Sequence, residues 1–175
     1  MNSFCLVPFA TNTAPQVEIG GEIERQNNQL KIRYQLTGNL SQLILAEVDT
    51  PTRQYDLWCH TCFEFFLGIK DSTKYWEFNL SPAGHWNVFR FNDYRQNITE
   101  EMAFNSLAFE VLPQPNLCQL ELTVDLNQII APEQHLQAGV TTVIEDREQQ
   151  LSYWALSHPK SEADFHSWDS FAIAL

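Results

Sequence analysis

Apolar and polar residues alternate one by one over Leu30-Lys-Ile-Arg-Tyr-Gln-Leu36, and again over Cys118-Gln-Leu-Glu-Leu-Thr-Val-Asp-Leu126. Successive side chains of an extended strand leave on opposite faces, so this spacing predicts two strands with one buried and one solvated side. Further strands are expected over Phe4–Pro8, Val17–Arg25, Leu43–Glu47, Cys62–Ile69, Tyr75–Leu80, Trp86–Asn92, Leu107–Leu112, Gly139–Asp146, Leu151–Ser157 and Phe171–Ala174. Turn-forming runs separate them, most clearly Gly38-Asn39, Ser81-Pro-Ala-Gly84, Pro113-Gln-Pro115 and Asp146-Arg-Glu-Gln149, because glycine supplies positive φ and proline removes a ladder donor. Helical periodicity is short-lived, with at most a turn or short helix over Asn127–Gln137 and over Thr99–Asn105. The fold class that follows is all-β, an antiparallel two-sheet β-sandwich with few short helices.

The chain has 175 residues, a length that fits one domain over 1–175, and it carries no internal repeat, low-complexity tract or linker. Ten Lys+Arg stand against 22 Asp+Glu, and a net charge of −12 repels phosphate backbones and anionic lipid, so neither nucleic acid nor a membrane is expected as a partner. Met-Asn-Ser-Phe-Cys-Leu-Val-Pro-Phe at the start offers neither a basic leader nor a secretory apolar stretch, and the expectation is a cytoplasmic protein. Four cysteines would permit two disulfides, but buried reduced thiols are the expectation for a chain of this size without an export signal. Cys59 and Cys62 have redox spacing, yet they run into a strand, where side chains three apart face opposite ways and no helix N-terminus lowers a thiol pKa.

Polar residues interrupt the most aromatic strands. Trp58, His60, Glu64, Glu77, Asn79, Trp86 and Arg90 fall among Phe and Tyr, and flat rings beside fixed hydrogen-bonding groups suit a sugar or another polar ring-shaped ligand. Joining Tyr75–Leu80 to Trp86–Asn92 through Ser81–Gly84 pairs Leu80 with His85 and Asn79 with Trp86. That register places Tyr75, Glu77, Asn79, Trp86, Val88 and Arg90 on one face and Trp76, Phe78, Leu80, Phe89 and Phe91 on the other. Cys62–Ile69 divides similarly, with Phe63, Phe65 and Leu67 opposite Cys62, Glu64 and Phe66. An internal pair of Arg90 with Glu64 or Glu77 would account for the same charges without a ligand. His158 and His166 suit either hydrogen-bonded structure or a ligand rim, and the irregular Asn92–Phe104 stretch is expected to fold over one end of the sandwich.

Trp58–Phe66, Tyr75–Arg95, Leu151–Pro159 and Ala163–His166 resemble segments of bacterial DOMON-like proteins, a group related to the family 9 carbohydrate-binding modules. The most specific piece is Trp76-Glu-Phe-Asn-Leu-Ser-Pro-Ala-Gly-His-Trp86, followed by Arg90-Phe91 and Tyr94-Arg95, with Asp164-Phe-His166 as a weaker echo. The resemblance implies a sandwich of immunoglobulin-like or jelly-roll character that holds a sugar, or in some relatives haem, without catalysis. Two tryptophans sandwich the ligand in the sugar-binding modules, and Trp86 with Trp58 or Trp154 are the nearest counterparts here. Those modules usually ride on secreted enzymes, whereas this chain looks free-standing, which keeps a soluble metabolite in view.

The expected function is therefore non-catalytic binding of a carbohydrate or other small polar metabolite, with an oligosaccharide among the ligands considered. Ligand contacts are assigned to Trp58, Glu64, Glu77, Asn79, Trp86, Arg90, Trp154 and His158, with no catalytic residue, metal or cofactor called for. An enzyme would instead use Glu64 and Glu77 as acid and base, and a nearby Arg would lower both pKa values, against acid catalysis. A haem protein would have only Met102, besides Met1, to offer as a methionine ligand. Asp49, Asp56 and Asp164 are loop carboxylates within reach of a calcium chemistry, but without its spaced acidic loop. A plain interaction domain would use the same tryptophans on a protein, and no feature names such a partner.

Overall fold

The computed structural model describes residues 1–9 and 14–175. Its strands are β1 (Asn2–Cys5), β2 (Val7–Pro8), β3 (Val17–Gln26), β4 (Gln29–Gly38), β5 (Cys62–Ile69), β6 (Tyr75–Leu80), β7 (Trp86–Phe91), β8 (Thr99–Glu100), β9 (Phe109–Gln114), β10 (Leu117–Asp125), β11 (Leu136–Glu145), β12 (Leu151–Ala155) and β13 (Ile173–Ala174). All pair antiparallel in two sheets, one ordered β1-β3-β4-β10-β9 and the other β2-β12-β11-β5-β6-β7-β8 with β13 also against β11. Helix among the described residues is limited to three short 3-10 turns, at Leu40–Gln42, Leu57–Cys59 and Trp168–Ser170. The protein is an antiparallel β-sandwich, and no helix among those residues is long and apolar enough to cross a membrane.

The five-stranded sheet follows its alternation. Leu30, Ile32, Tyr34 and Leu36 of β4, with Cys118, Leu120, Leu122 and Val124 of β10, are buried against the other sheet. Lys31 pairs with Glu121, and Arg33 with Glu22, on the solvated side. Pro113 lies inside β9 instead of ending it, because β9 is the sheet edge and a missing N–H there breaks no ladder. Leu43–Glu47 is not a strand: Leu43 alone bridges, to Asp146. Asn127–Gln137 and Thr99–Asn105 hold turns and β8 instead of helices.

The β6–β7 hairpin has a different register from the one its sequence pattern favours. Leu80 faces Trp86, Asn79 faces Asn87, Phe78 faces Val88 and Glu77 faces Phe89. The loop is one residue longer than expected: Ser81 N–H donates to His85 O at 2.9 Å, and Gly84, at φ +96°, donates to Ser81 O at 2.9 Å. One residue of slip carries all of β7 to the opposite side. Trp86 and Val88 therefore join Trp76, Phe78 and Leu80 between the sheets, and Asn87, Phe89 and Phe91 join Tyr75, Glu77 and Asn79 on the outer face.

That mixture of Phe and Glu is tolerated because the outer face is covered as well. Phe171 and Trp168 of the C-terminal segment pack on it with Phe66, Tyr75, Phe89 and Phe91, and every residue of β5 except Ile69 is buried. Close approach needs bare backbone beneath: a Cβ on Gly139 would lie 2.8 Å from Phe171, and one on Gly68 only 2.3 Å from Trp168. Gly139→Val is expected to lower unfolding free energy by about 1–3 kcal/mol in urea titration, whereas Lys31→Ala on the solvated face should change it by less than about 0.5 kcal/mol.

Candidate functional site

The covering segment leaves part of the outer face open. There a hollow of about 470 Å³ is lined by Trp58, Glu64, Phe66, Glu77, Phe91, Arg95, Tyr153, Phe165 and His166, with Cys59, Ile98, Val143, Leu151 and Ala163 completing the wall. Strand parity explains its floor. Glu64 stands opposite Asn79 across β5–β6 and Phe66 opposite Glu77, so the two carboxyls are diagonal neighbours on one face. Val143 stands opposite both Cys62 and Tyr153, bringing β11 and β12 into the same surface. Trp58 comes from the 3-10 turn after Asp56, whose left-handed backbone (φ 58°) turns the loop over β7, and its indole meets Phe89 edge-on at 5.7 Å.

Both floor carboxyls are buried, with 2% of Glu64 and 6% of Glu77 exposed. Glu64 Oε2 accepts from Thr141 Oγ1 at 3.3 Å, and Oε1 has no hydrogen-bond partner among the described residues. Glu77 Oε1 accepts from Asn79 Nδ2 at 2.9 Å, while Oε2 lies 3.9 Å from His166 Nε2, beyond hydrogen-bonding range. Burial, reinforced by the neighbouring Glu77 charge, pushes Glu64 well above the usual carboxylate range. Burial also takes Glu77 up to about 7, against the Asn79 hydrogen bond and the more distant Arg95 charge. The sequence-based expectation that an Arg would lower these values is reversed, since desolvation outweighs a guanidinium engaged elsewhere.

Asp164 is what engages it. Tyr94 Oη donates to Asp164 at 2.7 Å and Arg95 at 3.1 Å, and Lys160 Nζ binds the same carboxylate. Burial alone would raise Asp164, but those donors hold it down at about 2. Tyr94-Arg95 and Asp164-Phe-His166, two fragments of the family resemblance, thus meet in space. Tyr75 Oη accepts the Arg95 backbone N–H at 3.1 Å and lies 2.9 Å from His166 Nδ1, so it is free to donate there. That tautomer leaves the ring proton on Nε2, toward Glu77. Burial, with the Arg95 charge, lowers His166 to about 4 and keeps it neutral near pH 7.

Of the residues assigned from sequence, Trp58, Glu64 and Glu77 line the hollow, and Asn79 lies directly behind them. The other four lie elsewhere. Trp86 is 3% exposed between the sheets, with the Arg53 guanidinium 4.3 Å over its ring, so its faces are already occupied. Arg90 shares the inward parity of Trp86 but stands exposed near the end of β7, paired with Thr99 and apart from both carboxyls. Trp154 is buried inside, donating to Ser152 Oγ at 3.0 Å, because alternation along β12 gives the outer face to Tyr153. His158 contacts Val7 O at 2.9 Å and Phe9 edge-on. Tyr153, Phe165 and Arg95 were not assigned to the site from sequence; the Tyr153–Trp154 parity was the available signal for the first. Met102 is exposed and outside the lining, and Asp164 is fully engaged by cations.

The sequence matches no known family model, and no curated protein matches it. Solved structures share its fold. A candidate carbohydrate-binding protein from Bacteroides uniformis superposes with a TM-score of 0.74 at 11% identity, covering 98% of this chain and 84% of its own. A family 9 carbohydrate-binding module from Caldicellulosiruptor kristjanssonii, in complex with glucose, gives 0.54 at 10% identity over 85% and 71% of the two chains. With cellotriose bound the values are 0.53, 9%, 85% and 70%.

The pKa directions fix a sign for stability. A carboxyl whose folded pKa is raised stabilises the fold while protonated and loses that contribution as pH rises from its unfolded value, 4.5, through its folded value near 7. His166, lowered, works oppositely across the overlapping window between 6.5 and 4, so the two offset each other in mild acid. Glu77→Gln, which removes the titration, is expected to stabilise the protein by about 1–3 kcal/mol at pH 8 and by much less at pH 4.5, measured by urea unfolding at both.

Proposed function

We propose that the chain is a non-catalytic binding domain for a carbohydrate or similar small polar ring-shaped metabolite, and that its site is the hollow over β5, β6 and β12. The observation that carries this reading is the hollow itself: aromatic walls from Trp58, Phe91, Tyr153 and Phe165 over a floor of carboxyl groups, at about 470 Å³. Small-ligand sites are concave, largely apolar and fitted with a few fixed polar groups, and the apolar C–H faces of a sugar pack on aromatic rings. The shared fold with the glucose- and cellotriose-bound modules agrees with it. Glu64, Glu77 and Trp58 keep the ligand-contact role read from sequence, Tyr153, Phe165 and Arg95 join them, and Asn79 positions Glu77 from behind. Trp86, Arg90, Trp154 and His158 contribute through the framework.

Trp58, half-buried at the rim, serves as the reporter. Intrinsic fluorescence should shift on titration with a mono- or disaccharide, and Trp58→Ala, which removes the reporter, should weaken binding at least about tenfold by calorimetry. Trp86→Ala is expected instead to cost stability, as large core truncations do. A flat response across a broad sugar panel refutes the proposal.

One observation favours a second reading. Glu77, with its pKa near 7, and Glu64 make a carboxyl pair suited to proton transfer near neutrality, as a glycoside hydrolase or sugar isomerase requires. On that reading the wild type consumes a sugar substrate and Glu77→Gln lowers turnover at least about a hundredfold; a substrate that binds and is recovered intact disposes of it.

A further inference from the structure

Apart from the proton that burial keeps on its carboxyls, the floor of the hollow offers acceptors and almost no donors. Among the described residues Glu64 Oε1 has no hydrogen-bond partner, Glu77 Oε2 has only His166 at 3.9 Å, and the Asn79 amide and Thr141 hydroxyl that reach these carboxyls bind their other oxygens. Arg95 is the one fixed cation among the described residues that line the hollow, and it is tied to Asp164. Buried carboxyls ordinarily sit beside a matching positive group. Here two of them share one floor under Trp58, Phe66, Phe91, Tyr153 and Phe165, and aromatic rings attract cations by their own electrostatics.

The geometry points to a ligand that brings a cation: an amino sugar whose protonated amine sits between Glu64 and Glu77 and donates to Glu64 Oε1 and Glu77 Oε2. The inference rests on the carbohydrate reading for the ring and goes beyond it for the amine. An ammonium has three N–H donors and a charge, so it answers the orphaned oxygen and also favours ionisation of the pair; a hydroxyl answers only the first. Other ionisable groups facing the pair do not supply that charge. Cys62 and Tyr75 are neutral because burial raises both, His166 is neutral because burial lowers it, and Asp164 offsets Arg95. The ligand's charge takes the place of the proton that burial keeps on the pair, so binding releases a proton.

Calorimetric titration of the intact chain near pH 7 tests this with glucosamine, glucose and N-acetylglucosamine, each in two buffers of different ionisation enthalpy. Glucosamine is expected to bind at least about tenfold more tightly than the other two, with buffer-dependent heat that reports proton release, and Glu64→Gln should narrow the difference. The proton release is measured on the wild type, so the test stands even if the variant fails to fold. Equal affinities within about threefold and no proton release overturn the ammonium assignment and leave the carbohydrate reading intact. Binding of benzylamine with proton release, but of no sugar, overturns the carbohydrate reading and keeps the ammonium site. No binding of either class up to about 20 mM overturns both.

Discussion

The eight-stranded sheet has to be buried on both faces, and the remaining features of the molecule follow from how that is done. Its inner face packs on the five-stranded sheet through Phe63, Phe65, Trp76, Phe78 and Trp86. Its outer face carries Phe66, Tyr75, Phe89 and Phe91, which the other sheet cannot reach, so the chain after β12 folds back to cover them. Gly68 and Gly139 let Trp168 and Phe171 come down to the backbone. Where that cover stops, over Glu64, Glu77 and Tyr153, the hollow begins.

Two kinds of buried acid lie side by side in this region, and their contrast defines its chemistry. Asp164 has a tyrosine, an arginine and a lysine around it and remains ionised down to about pH 2. Glu64 and Glu77 have an amide and a hydroxyl, and burial holds both toward the neutral form. The first arrangement ties the Asn92–Phe104 connection to the C-terminal segment and is complete without anything added. The second leaves Glu64 Oε1 without a hydrogen-bond partner among the described residues, beside an open hollow.

Much of the fold was legible because strand alternation is a local property. Lys31, Arg33, Glu121 and Thr123 mark a solvated side, and Cys62–Ile69 and Tyr75–Leu80 form the strands their spacing predicts. Of the residues around the candidate site, the carboxyls and Trp58 were legible, but the other wall residues were not. The expected register of the β6–β7 hairpin gathers Phe78, Phe89 and Phe91 on one side, the observed one divides them between both, and one residue of loop length chooses between the two. Choosing wrongly brought Trp86 and Arg90 outward with the carboxyls, when the indole is sealed beneath Arg53.

By itself, then, the sequence determined the all-β class, most of the strands, and the placing of Glu64 and Glu77 on the same face, since each depends mainly on residues a few positions apart. Tertiary structure alone decided which aromatics join those carboxyls, that Arg95 is held away by Asp164, and where the covering segment ends. Those outcomes turn on contacts between residues far apart in the chain, 69 positions for Arg95 with Asp164 and 91 for Tyr75 with His166, whose geometry is set by sheet packing and loop closure and leaves no periodic trace along the chain.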